Sequence, residues 1–195
     1  VRVAFGTVLA AGHVLRKDVL DPGQLVVPTL PHAGTFPYET GYRSVARVLR
    51  NGAIYVGNVA ALQVWYQQVR RPLLEKTPHG QACLEGARKQ LAAVRAERIK
   101  RLDEVLAKIA AEDRAALGEG LRAEHEQLCA AWPAAKERLA AAGDVECAEK
   151  AAFLAAWTAA KEVDYVARVQ GLSAAAKAAG SAWLQKIVDG AGSPA

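Results

Sequence analysis

Residues 3–20 read as three back-to-back hexapeptides, V-A-F-G-T-V, L-A-A-G-H-V and L-R-K-D-V-L. An aliphatic residue recurs every six positions (Val3, Leu9, Leu15), and small Ala4 and Ala10 follow the first two. This spacing predicts one coil of a left-handed parallel β-helix, a triangle with one short strand per side. The aliphatic residue fills a corner of the narrow interior, and the small neighbour lets successive coils stack closely. A coil cannot bury its own faces, so several must stack before any is stable. Only one is legible here, and the 195 residues contain no methionine. The expectation is a fragment, the tail end of a longer protein.

After the coil, Asp21-Pro22-Gly23 reads as a turn and Leu25–Val27 as a short strand closing the last rung. Pro28, Pro31, Gly34 and Pro37 then punctuate a connector that reaches Gly41. From Tyr42 the period becomes helical: Tyr42, Val45, Leu49, Tyr55, Val59, Leu62, Tyr66 and Val69 are read along one face. Asn51-Gly52 and Gly57-Asn58 either break this helix or admit a close neighbour, since Gly costs about 1 kcal/mol relative to Ala in a helix interior. Pro72 and Pro78 mark its end.

A second helix is expected over 80–109, with Leu84, Ala87, Leu91, Val94, Leu102, Val105 and Ile109 on its apolar stripe. Glu97–Arg101 and Glu104–Lys108 pair along it. Two further stretches are expected, 113–142 and 145–188. The first is bent or interrupted at Trp132-Pro133, Gly143 and Asp144 act as stop and N-cap, and Gly171 and Gly180 divide the second. The fold class is therefore mainly α: a terminal coil of a left-handed parallel β-helix (1–27), a linker (28–41), an α-helical bundle (42–189) and a frayed tail (190–195).

Charge is unevenly placed. Residues 1–110 carry 16 Lys and Arg against 8 Asp and Glu, a net of +8; residues 111–195 carry 9 against 12, a net of −3. The first part suits an anion such as phosphate, or the acidic second part. Cys83, Cys129 and Cys147 lie far apart without a C-x-x-C pair, which argues against a disulfide framework or a zinc site and for a reducing, cytoplasmic setting. No secretory signal pattern and no run of about 18 apolar residues is present, so no membrane partner is expected.

Three stretches carry a family resemblance. A-A-G-H-V-L-R-K-D-V resembles the closing coil of bacterial left-handed β-helix sugar-nucleotide proteins. R-S-V-A-R-V-L-R-N-G-A-I-Y-V-G-N-V-A-A-L-Q-V-W-Y and E-G-A-R-K-Q-L-A-A-V-R-A-E-R-I-K-R-L are similar to the segment after that coil in UDP-N-acetylglucosamine pyrophosphorylase-like proteins. The resemblance covers about residues 3–109. It implies a parent enzyme that transfers a nucleotidyl group between UTP and a sugar phosphate, with Mg2+ as its cofactor. Its Gly-rich nucleotide loop would lie upstream, so no catalytic residue, metal ligand or cofactor is assigned within this chain. His13 stands where a small or hydroxylated residue is usual.

Among single residues, His13 invites a general-base reading of the acyltransferase kind, against a structural histidine capping the last coil. His32, His79 and His125 share no metal-ligand spacing with it or with each other. Arg43, Arg47 and Arg50 fall at i, i+4 and i+7 and form the candidate anion-binding row; a solvated or ion-paired stripe competes with that reading. Trp65, Trp132, Trp157 and Trp183 sit in apolar helical context and read as packing anchors. The basic residues are interspersed with acids and accompany no recognised module, so nucleic acid is not an expected partner. The functional expectation is a C-terminal segment of a sugar-nucleotide transferase-like protein, its helices capping the β-helix and assisting self-association. A trimer is the usual state for hexapeptide β-helices, and a nucleotide sugar is reached through the parent protein. The alternatives are a non-catalytic helical assembly module on a β-helix scaffold and a hexapeptide acyltransferase.

Overall fold

The computed structural model describes residues 1–11, 14–27, 34–37, 45–111 and 119–192. The chain divides into two units, Val1–Arg43 and Ser44–Ala195. Among the described residues helices dominate, and three strands make one small sheet.

In the first unit, β1 (Val8–Leu9) pairs in parallel with β2 (Gln24–Val27), which pairs antiparallel with β3 (Gly34–Pro37). Val3 bridges Val19 in parallel, Val8 aligns with Leu25, and Leu9 with Val26. Two successive passes of chain therefore lie side by side, as in a solenoid. Arg2 fastens the passes: its backbone N–H and its Nε each donate to the Asp18 carboxylate at 2.9 Å. Those bonds hold the Asp18 carboxyl below its ordinary pKa.

This differs from the expected coil in three ways. The paired residues lie sixteen or seventeen positions apart, not the eighteen of three hexapeptides. Val3 and Leu9, expected to fill interior corners, are exposed, because two short passes enclose no interior. Gly34–Pro37, expected to be linker, is a strand: hydrogen bonding to β2 outweighs its lack of apolar period. A left-handed β-helix is not what these pairings by themselves define.

The second unit is helical. α1 (Val45–Trp65) passes into a π-helical turn (Tyr66–Arg70) and then α2 (Arg71–Leu74); α3 is Gly80–Ala111, α4 Glu119–Ala141, α5 Ala148–Ala159, α6 Tyr165–Gly171 and α7 Ala174–Ala191. Pro72 explains the π turn. It has no N–H to give and its ring crowds the preceding turn, so the helix widens instead of stopping. The Arg71 N–H accordingly reaches back five residues to the Tyr66 carbonyl.

Gly52 and Gly57 lie inside an unbroken α1, so close approach is what they provide. A Cβ on Gly57 would come within 2.9 Å of the Val188 backbone in α7. Gly180 does not divide α7 either; a Cβ there would meet the Phe153 ring at 2.6 Å. The expected 145–188 stretch is instead three helices, with Gly171 ending α6. Asp164 and Ser173 supply the N-caps, accepting from the N–H groups of Ala167 (2.8 Å) and Ala176 (3.2 Å). α4 runs through Pro133 without interruption, and α7 extends past residue 189.

The core joins α1, α5 and α7 around Trp183, Phe153, Trp157, Val64 and Ile187, with Trp65 packed against it. Phe153 lies 5.4 Å from Trp65 and 5.9 Å from Trp183 between ring centroids, at tilted angles. Asp144 locks this core. It does not cap α5, whose N-cap position is Cys147. It accepts instead from Trp183 Nε1 (3.2 Å), Gln68 Nε2 (3.1 Å) and Lys150 Nζ (2.5 Å). Lys150 is only 6% exposed. Burial alone would lower its pKa, but its bonds to Asp144 and Glu146 outweigh that and raise it.

On the other side of α1, α3 and α4 bury Leu102, Leu106, Ile109, Leu128 and Leu139. Arg95 Nη2 donates to the Leu139 and Ala140 carbonyls at 2.6 and 2.7 Å, capping the C-terminal end of α4. Glu104 pairs with Lys100 and Arg101, not with Lys108 as expected, whereas Arg101–Glu97 forms at 2.8 Å.

Candidate functional site

Of the candidate anion row, Arg43 and its spacing to the rest lie outside the described residues. Arg47 and Arg50 lie in the first two turns of α1, both exposed. Among the described residues neither has an ion-pair partner. His13 and His32 also lie outside the described residues. His79 is exposed in the loop before α3, and His125 is buried on α4. Cys83, Cys129 and Cys147 are free thiols. Among the described residues no group of three or more His, Cys, Asp or Glu could hold a metal ion, and no helix is long and apolar enough to cross a membrane.

Two other surfaces have a definite chemical character. The first is a polar groove between the π turn and the N-terminal half of α3. Two adjoining cavities of about 360 and 560 Å³ share Tyr66, Gln67, Glu85 and Arg88. Arg71 is paired with Glu75 at 2.7 Å, and Gln81 donates to Glu85 at 3.3 Å. Arg88 and Lys89 both line it without an ion-pair partner among the described residues, so either cation could receive an oxyanion, although the Glu85 carboxylate borders the same space. The groove is open because this half of α3 is sparsely packed. Leu91 is half-buried and Val94 exposed, although both belong to the stripe expected to be buried.

The second is the outer face of α1. The buried residues of α1 include Val45, Leu49, Ala53, Val56, Ala60 and Val64. Outward point Val48, Ile54, Tyr55 and Leu62, exposed by 38%, 48%, 46% and 44%. Tyr55 and Leu62 were expected on the same face as Val45 and Leu49. The smaller residues Gly52, Ala53 and Ala60 take the inward positions instead, since they allow closer packing of α3 and α7. From Asn51 to Val69 the sequence carries no Asp, Glu, Lys, Arg or His for nineteen residues. Large apolar side chains exposed beside only uncharged Asn51 and Asn58 are unusual, since the outer face of a solvated helix ordinarily carries charge.

Shallow grooves flank this face on both sides. Tyr55, Val94 and Arg98 line one of about 500 Å³ against α3, and Leu62, Trp65 and Leu184 one of about 340 Å³ against α7. Arg98 lies over the Tyr55 ring, 5.1 Å from its centroid. A ridge between grooves is the relief that another helix packs against. Periodicity alone missed this face; the charge-free run was the signal for it.

No protein family, curated protein or solved structure matches this chain.

Proposed function

We propose that the chain is a self-association module: a helical unit that joins copies of the protein, preceded by the last passes of a parallel β-solenoid. The observation that carries this reading is the outer face of α1, where four large apolar side chains are exposed on a helix without charge over most of its length. Large apolar side chains exposed together on one helix mark interaction sites. The parallel passes Val3/Val19 and Val8–Leu9/Leu25–Val26 support the solenoid part; its left-handed hexapeptide form rests on the sequence spacing alone.

Within that frame, a parent of the UTP:sugar-1-phosphate uridylyltransferase type is the enzyme class to which the resemblance points, with Arg47 and Arg50 as residues that could meet its nucleotide sugar. Mg2+ would belong to that parent chemistry.

Sedimentation equilibrium of the full 195-residue chain tests the reading. A mass above the 20.7 kDa monomer that grows with concentration is the expected result. A monomer at every concentration up to about 0.5 mM, roughly five hundred times a micromolar dissociation constant, refutes it.

A further inference from the structure

We infer that α1 pairs with α1 of a second copy, antiparallel, about a two-fold axis passing near Tyr55. The inference rests on the self-association reading and goes beyond it by naming the partner, the surface and the symmetry.

Three observations point to a second copy. Val48, Tyr55 and Leu62 succeed one another at seven-residue steps, the repeat of a helix seam that stays in contact over its whole length at a shallow crossing angle. Val48 and Leu62 are equidistant from Tyr55 along the chain. Reversing the helix about Tyr55 therefore sets Val48 against Leu62 of the second copy and Tyr55 against its own mate, as a two-fold interface requires. The flanking relief is also reciprocal. The groove beside Tyr55 lies on the α3 flank and the groove beside Leu62 on the α7 flank, so each α1 ridge has a hollow beside it for the other.

The size of the surface sets the strength. With 21 residues, α1 is about 31 Å long. Together with the borders of α3 and α7 it offers a strip about 20 Å wide, roughly 600 Å² per copy, at the low end for specific complexes. The expected product is a reversible dimer with a dissociation constant on the order of micromolar. The charged groups nearest the seam are on its α3 side: the Arg98 guanidinium lies over the Tyr55 ring, 5.1 Å from its centroid, and Glu97 and Arg101 stand beside it, where the three would form the polar rim.

The test combines mass and register on the full chain. Sedimentation velocity should show a monomer–dimer equilibrium, and Leu62→Glu should raise the dissociation constant at least about tenfold, because it places an unpaired carboxylate in an apolar seam. Helical circular dichroism should stay unchanged. Val48→Glu is the second variant, read in its place if Leu62→Glu does not fold. With Cys83, Cys129 and Cys147 replaced by Ser, Tyr55→Cys should give a covalent dimer on mild oxidation, since a residue on the axis meets its own mate within disulfide reach. A trimer overturns the inference. So does an oligomer that survives both Glu variants and gives no disulfide cross-link through Tyr55→Cys, although that outcome leaves self-association standing. A strict monomer overturns both.

Discussion

The two sides of α1 are built from similar residues and end in opposite environments. Inward, Gly52, Gly57, Ala53 and Ala60 let α3 and α7 come so close that Val56 and Val64 are almost fully covered. Outward, Val48, Ile54, Tyr55 and Leu62 meet solvent. Hydrophobicity does not separate the two sides, since Val and Leu occur on both; glycine does. Gly52 and Gly57 lie only where the helix packs within its own chain, and the outward Val48, Ile54, Tyr55 and Leu62 are left for something else. The inner side should therefore govern stability and the outer side association, and substitutions can set those roles against each other.

The largest effect is expected at Trp183, which is fully buried against α1 and α5. Trp183→Ala should destabilise the helical unit by about 3–5 kcal/mol, with the loss of the Trp183–Asp144 hydrogen bond included in that figure. Urea unfolding followed by circular dichroism measures it, and a loss under about 1 kcal/mol would mean that the aromatic cluster is not the centre of the core. Next comes Gly57→Val, whose side chain would strike the α7 backbone at Val188. Overpacking there should cost about 1–3 kcal/mol. Gly86 on α3 supplies the contrast, since a Cβ there meets nothing within 4 Å. Gly86→Ala should stabilise by up to about 1 kcal/mol through helix propensity. Opposite signs at two helical glycines are what the close approach of α1 and α7 demands; equal signs would break the comparison.

Much of the helical unit was legible from the sequence because it depends on local signals. The extent of α3, the stop at Gly171 and the packing roles of Trp132, Trp157 and Trp183 follow from periodicity, glycine placement and residue type. What was not legible depends on partners distant in the chain. Periodicity placed Tyr55 and Leu62 with Val45 and Leu49 because a repeat of three, four and six residues drifts around a helix, and only contact with α3 and α7 decides which side is inner. Asp144 looked like an N-cap by its position after Gly143, yet Lys150, Gln68 and Trp183 converge on it through folding. β3 has no apolar alternation and exists because β2 offers it a hydrogen-bonding edge. The candidate site fared similarly: single arginines can be read off the chain, whereas the exposed ridge of α1 and the Arg88 groove require three helices to be placed.

The smallest expected effect lies at the rim of the inner interface, where α5 and α7 are tied by an ion pair. Lys186 Nζ lies 2.7 Å from Glu149 Oε2. That bond, with help from the Glu149 backbone N–H, holds the Glu149 carboxyl at about 2 in place of the ordinary 4.5. A carboxylate whose folded pKa is depressed contributes its stability above the unfolded value and loses it as pH falls through the folded one. The contribution is therefore full above pH 4.5 and fades towards pH 2. Lys186 is shifted in the complementary direction, upward, by the same bond, so its share is present below its unfolded value and lost as the solution turns strongly alkaline. Glu149→Gln removes the titrating group. Its urea midpoint should fall less steeply than the wild-type midpoint between pH 4.5 and 2, while Asp18 and Asp103, whose carboxyls are also held low, leave a residual slope in both proteins. Both groups are solvated, and exposed pairs contribute little, so the difference is one of slope and not of collapse. Parallel acid slopes for wild type and variant would show that the aromatic core holds α5 on α7 without help from its ionic rim.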